Sequence, residues 1–128
     1  MESMINTEYL IREAMSAREK AIAPYSHYRV GVALQTTDGT VIHGCNVESK
    51  AYPTTLCAER VAIFSAISRG YTKFSAIALV TEDGGMPCGS CRQIMFEFLG
   101  EVPIIVSDPQ LNFQEFRISD LLPYPFGK

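Results

Sequence analysis

No uninterrupted apolar run in the 128 residues is longer than the five from Ala76 to Val80. A membrane-spanning helix needs roughly 20 such residues, and a secretory h-region is also longer. The chain is therefore expected to stay off the membrane, with the cytoplasm as its compartment. An excess of positive charge is missing too. Eleven Lys and Arg stand against fourteen Asp and Glu, for a net charge of -3. That balance offers no electrostatic footprint for a phosphate backbone, so a nucleic acid polymer is excluded as the expected partner. There is no internal repeat, low-complexity tract or linker, which removes fibrous and disordered classes. Cysteines are few. In a reducing compartment, four of them in a mid-sized chain point to metal or catalysis before disulfides.

What is present suffices for one globular domain over residues 1–128. The chain is 47% hydrophobic and 20% charged, and folding at this length removes roughly two thirds of the extended surface from water. Apolar residues Leu10, Ile11, Ala14, Met15, Ala17, Ala21 and Ile22 recur at helical spacing between Asn6, a capping residue, and the stop at Pro24. Tyr28 to Thr36 and Val41 to Glu48 are β-rich runs joined by Thr37-Asp38-Gly39, a hairpin turn. A helix is expected from Leu56 to Ser68, a buried strand from Phe74 to Val80, and, after Pro87, a third helix running to about Leu99. Val102 to Val106 and Gln114 to Ile118 complete the strands, with Ser119 capping a last short turn. Two hairpin strands followed by alternating helix and strand imply a mixed five-stranded sheet covered on both faces, a three-layer α/β/α arrangement.

Three cysteines fall at expected helix starts: Cys57 at one, Cys88 and Cys91 at another. A helix N-terminus carries about half a positive charge and free N–H groups, so it favours the thiolate that binds metal. One turn of C-x-x-C can present two sulfurs to a tetrahedral ion, and Cys57 can supply a third. Zinc suits that set, although C-x-x-C by itself also reads as a redox pair. Three protein ligands leave a fourth position open to water, as in catalytic zinc sites.

Glu59 lies two residues after Cys57, within reach of such a water. Its ordinary role in a first turn would be a capping box, but the partner position is Leu56, which has no side-chain oxygen. A proton-shuttling Glu59 is the better account. Arg60 and Arg92 also stand in first turns, where the helix dipole disfavours a cation. Arg60 is the candidate to withdraw charge from the sulfurs; for Arg92 a surface or interface ion pair is an equal alternative.

Three ordered blocks carry a resemblance: Gly44-Cys45-Asn46-Val47-Glu48, Cys57-Ala58-Glu59-Arg60 and Pro87-Cys88-Gly89-Ser90-Cys91-Arg92-Gln93. Together they resemble cytidine deaminase of the short type, in which a cysteine takes the histidine's place in the zinc-deaminase signature. Ala23-Pro24-Tyr25-Ser26 and Leu121-Leu122-Pro123 extend it over nearly the whole chain.

The resemblance implies a hydrolase of pyrimidine salvage that deaminates cytidine and 2'-deoxycytidine, with one zinc ion per subunit held by Cys57, Cys88 and Cys91. It implies Glu59 as the catalytic residue, with Asn46 and Glu48 on the ribose hydroxyls. Tyr28, Ala58 and Phe126 would be further substrate contacts, the last reaching a neighbouring subunit of a homotetramer. Tyr28 stands where the family usually has Phe. A further departure is Ser49-Lys50-Ala51-Tyr52-Pro53, which brings the charge of Lys50 into a usually small, neutral stretch.

Two other readings compete. Cys45, Cys57, Cys88 and Cys91 could close a structural four-cysteine site with no open position, but Cys45 lies within a strand and suits core packing. Editing of cytosine within RNA or DNA would need a basic, aromatic groove, which the acidic composition opposes. His27 and His43 lack ligand spacing to any cysteine and are read as non-ligands.

Overall fold

A computed structural model of the protein describes residues 6–51 and 55–124. Its elements are α1 (Thr7–Arg18), β1 (Gly31–Thr36), β2 (Val41–Cys45), α2 (Ala58–Ser68), β3 (Phe74–Val80), α3 (Gly89–Leu99), β4 (Ile104–Ser107), β5 (Phe113–Phe116) and α4 (Ile118–Leu121). The strands form one mixed sheet in the order β2-β1-β3-β4-β5. Only β3 and β4 run parallel, joined through α3; the other neighbours are antiparallel. Alternation along each strand divides the core between two faces. Val32, Leu34, Ile77, Leu79, Ile104 and Val106 pack with α2 and α3, whereas Ala33, Ala76, Ala78, Val80 and Ile105 pack with Leu10, Ile11 and Ala14 of α1. The three-layer α/β/α expectation holds.

Small residues set how closely the helices approach. A Cβ at Gly31 would lie 2.0 Å from the carbonyl oxygen of Ala14, and one at Gly44 would lie 2.7 Å from the backbone nitrogen of Ala62. The two glycines thus let α1 and α2 settle on opposite faces of the β1–β2 hairpin. The hairpin turn forms as expected, with Gly39 at a φ of 92° and its N–H donating to the carbonyl of Thr36 at 3.0 Å.

Several boundaries differ from expectation. Asn6 caps α1, its Oδ1 accepting from the Tyr9 N–H at 2.9 Å, but the helix stops at Arg18, short of Ala23. Pro24 disfavours helical geometry just before it, and the backbone of Ile22 instead bridges to Val47. Regular pairing in β1 starts at Gly31, not Tyr28, and in β2 ends at Cys45, not Glu48. Helix α2 begins at Ala58, so Leu56 lies outside it, whereas α3 begins at Gly89 with Pro87 ahead of it, as expected. The fourth strand starts at Ile104, beyond Pro103. The last strand ends at Phe116, and Ile118 opens α4. Ser119 does not cap that turn: the N-cap is Arg117, whose N–H donates to Asp120 Oδ2 at 3.0 Å. Ser119 lies inside the turn, bound through its N–H and hydroxyl to Glu101.

Candidate active site and metal centre

The site forms where one end of the sheet meets two helix starts. Gly31 pairs with Cys45 on one side and Val80 on the other, so the next residues outward, Val30, Asn46 and Thr81, emerge at one edge. Cys57 and Cys88 are the N-caps of α2 and α3, both in extended backbone geometry and neither making a side-chain cap bond. Their sulfurs are left facing helix N-termini, as the charge argument requires. Cys91 sits one turn into α3 and is fully buried.

The three sulfurs lie within 4.8 Å of one another, with Cys57 and Cys88 separated by 4.0 Å. A tetrahedral ion with metal–sulfur bonds of about 2.3 Å holds its sulfurs about 3.8 Å apart, so the trio fits zinc. A redox pair would need only two of these sulfurs, whereas three converge here. The trio does not include Cys45: among the described residues the cluster consists of Cys57, Cys88 and Cys91. Cys45 instead borders a hollow with Ala17, Lys20, His43 and Val61. His43 is occupied by Glu13, at 2.8 Å from Nε2 to Oε1. His27 occupies a turn at a φ of 59°.

Charge on the sulfurs is uneven. Hydrogen bonding from the Cys91 thiol, with the Arg60 guanidinium, brings Cys57 down to about 5 against its burial. Cys91 moves up, because it donates to Cys57 and is itself buried beside Glu59. Without a cation the trio thus sheds one proton easily and holds the next, whereas a divalent ion stabilises the full thiolate set. Arg60 donates from Nη2 to Cys57 Sγ at 3.6 Å, which puts a cation where the sequence argument wanted one. The Ser90 hydroxyl, which nothing in the local sequence marks out, lies 3.4 Å from Cys88 Sγ.

Glu59 is 4% exposed and lines the same cavity as Cys57 and Cys88. Burial pushes its carboxyl up to about 7; its own N–H pulls down, the Cys57 charge pushes up, and Arg60 and Cys91 pull down. The cavity has a volume of about 280 Å³, and its wall also contains Tyr28, Asn46, Glu48, Ala58 and Thr81. A wider outer hollow of about 680 Å³ shares Ser26, Glu48 and Thr55 with it and includes Lys50.

Both polar residues after the hairpin are tied to backbone. Asn46 accepts the Val30 N–H at 2.9 Å and donates to the Tyr28 carbonyl at 2.8 Å. Its side chain thereby reinforces the contact just past Gly31, where the Asn46 backbone N–H also donates to the Val30 carbonyl at 3.3 Å. Glu48 Oε1 accepts the N–H groups of Tyr25 and Ser26 at 2.9 and 3.1 Å, and Oε2 accepts the Ser26 hydroxyl. The Ser26 hydroxyl is the largest cause of a depressed Glu48 pKa. The Tyr28 hydroxyl donates to Asp83 Oδ1 at 2.8 Å. Arg92 forms no ion pair among the described residues; Nε donates to the Pro87 carbonyl at 2.8 Å and Nη1 to the Leu121 carbonyl at 2.9 Å. Phe126 lies outside the described residues.

The family model for the cytidine and deoxycytidylate deaminase zinc-binding region matches residues 4–106. This chain belongs to that family. Its metal is zinc, in accord with the three converging thiols. A cytidine deaminase from Sporosarcina psychrophila is 44% identical over 97% of this chain and 93% of its own. The crystal structure of cytidine deaminase from Burkholderia pseudomallei superposes with a TM-score of 0.91 at 45% identity, covering 95% of this chain and all of that one. That from Mycobacterium tuberculosis gives 0.84 at 37% identity, over 98% of this chain and 100% of the other. A blasticidin-S deaminase from Bacillus cereus is more distant, at 28% identity over 88% of each chain. No described helix is long and apolar enough to cross a membrane.

Proposed function

We propose that this chain is a zinc-dependent cytidine deaminase that converts cytidine and 2'-deoxycytidine, with one water, to uridine or 2'-deoxyuridine and ammonia. The observation that carries this reading is a buried carboxyl, Glu59, sharing one cavity with the three-thiol cluster and with Asn46 and Glu48. We assign Cys57, Cys88 and Cys91 as the zinc ligands. The bound ion supplies a Lewis acid that lowers the pKa of water towards about 7.

The chain's own groups do the rest. Glu59 takes one proton from the attacking water and delivers it to ring nitrogen 3; it then takes the remaining proton from the hydroxyl added at carbon 4 and passes it to the amine, so that the carbon–nitrogen bond breaks, ammonia leaves and the carbon 4 carbonyl forms. A carboxyl raised towards 7 by burial both accepts and returns a proton near neutral pH. Arg60 drains charge from Cys57 so that a trio of thiolates does not overwhelm the divalent centre.

Glu48 Oε1 is taken up by two N–H groups, so Oε2 keeps acceptor capacity for a ribose hydroxyl. Asn46 retains one amide N–H beyond the one spent on Tyr28. The Tyr28 ring and Ala58 complete the wall around the nucleoside, and Phe126 is proposed as the contact reaching the next subunit.

A single domain over residues 1–128 acting in a homotetramer is part of this proposal. It is supported by apolar side chains left exposed on the outer helices, among them Phe64 and Phe98, whose rings meet edge to face with centroids 5.8 Å apart. Free thiols suit a reducing compartment, and we place the protein in the cytoplasm. The deciding experiment incubates purified protein with cytidine, deoxycytidine and CMP while following loss of cytosine absorbance, with a zinc assay in parallel. Both nucleosides turn over. Turnover of CMP alone overturns the ribose assignment.

A further inference from the structure

The loop between β3 and α3 carries Cys88 into the cavity, and Asp83 organises its first half. Asp83 Oδ1 accepts the Gly85 N–H at 3.0 Å and the Thr81 hydroxyl at 3.3 Å. Thr81 Oγ1 in turn accepts the Gly85 N–H at 2.7 Å. These bonds alone would make a local turn. The Tyr28 hydroxyl joins the same oxygen at 2.8 Å from across the cavity, 55 residues away in sequence. A Cβ at Gly85 would lie 2.5 Å from that hydroxyl, so the phenol fits only because residue 85 has no side chain.

At its other end Tyr28 is anchored through its carbonyl to Asn46. The loop has a second anchor at Pro87, whose carbonyl accepts from Arg92. Cys88 follows immediately. One hydrogen bond therefore joins the wall containing Asn46 to the loop that delivers a sulfur.

We propose that Tyr28 and Asp83 form a positioning clamp for the Cys88 loop, so that the Tyr28 hydroxyl acts on the metal centre through Asp83 and not on the nucleoside. The two ionisations support each other. Asp83 is held below the ordinary carboxylate range chiefly by the Tyr28 donor. Tyr28 is raised, first by burial and also by Asp83. The pair thus persists as neutral phenol and carboxylate over the working pH range. The inference rests on reading Cys57, Cys88 and Cys91 as the zinc site.

The test compares parent, Tyr28→Phe, Asp83→Ala, Asp83→Asn and the Tyr28→Phe/Asp83→Ala double variant. Zinc is loaded and its transfer to a coloured chelator timed; thiolate-to-metal absorption is recorded on the cobalt-loaded forms. Tyr28→Phe and Asp83→Ala each release zinc roughly tenfold faster, the lower end of what outer-shell partners of a metal contribute, and shift the cobalt band. The double variant is no worse than the more severe single one. Asp83→Asn keeps the acceptor oxygen and releases zinc at the parental rate.

Unchanged release and spectra in both single variants overturn the clamp, as do additive losses in the double variant. Asp83→Asn behaving like Asp83→Ala overturns it too. A parent protein that takes up no zinc overturns the metal site itself, and the clamp with it.

Discussion

A Cβ on Gly44 would stand 2.4 Å from the carbonyl oxygen of Ala58. The strand before the site and the helix that carries Cys57 and Glu59 thus touch backbone to backbone, with no room for a methyl group. Gly44→Ala must push the start of α2 off the sheet. Overpacking of this kind costs about 1–3 kcal/mol, read as a lower midpoint in urea unfolding. Because Cys57 and Glu59 move with the helix, activity falls further than stability alone accounts for. A variant of parental stability and activity would show that the contact does not set the site.

Glu59→Gln tests the proton shuttle. The amide is nearly isosteric but cannot carry a proton between water, ring and amine. Turnover of cytidine drops by at least about 10²–10⁴-fold, the range for a positioned acid–base group, while zinc content stays at the parental ratio. Concurrent loss of metal would instead make Glu59 a structural support of the cluster.

Cysteine substitutions separate the open site from a closed one. Cys91→Ser removes a buried sulfur of the cluster and abolishes tight zinc binding by atomic absorption. Cys45→Ser, at a residue outside that cluster, leaves zinc stoichiometry unchanged. Metal loss from Cys45→Ser would revive the four-cysteine reading.

Ser26→Ala reports on Glu48. In the parent, donation from Ser26 lowers the Glu48 pKa, so the carboxylate stays ionised as pH falls below the usual range and is neutralised only at the lower value. Removing the hydroxyl moves that transition up in pH. Carbon-13 NMR titration of the Glu48 carboxyl in the two proteins shows the displacement, and coincident curves would refute it.

Removal of zinc gives a fourth observable besides turnover. Ligand thiols must be deprotonated to bind, so zinc affinity falls as pH is lowered, and binding to the native state alone raises thermal stability by mass action. The chelated protein melts lower than the zinc-loaded form, and readdition of zinc at neutral pH restores the melting temperature.

Much of the site was legible because its residues are close in sequence and bear distinctive chemistry. Cys57, Glu59 and Arg60 share one turn, and Cys88 and Cys91 another, so helix geometry alone predicts their faces. The Asn6 cap and the Gly39 turn were equally local. The helix end at Arg18 was not, because apolar spacing continues to Ile22 while the backbone there is recruited by Val47, a partner 25 residues away. Asp83 and Ser26 escaped for the same reason: each looks like an ordinary loop residue until Tyr28 or Glu48 arrives from a distant segment. Arg92 resisted the choice between ion pair and function because its partners are carbonyls, which every residue possesses.

That last bridge has a practical meaning. A single guanidinium clasps both the loop ahead of Cys88 and the final turn of α4, so the two behave as one mechanical unit. Shortening the polypeptide to before Leu121 would unhook the far end and leave the guanidinium holding the loop ahead of Cys88 from one side only.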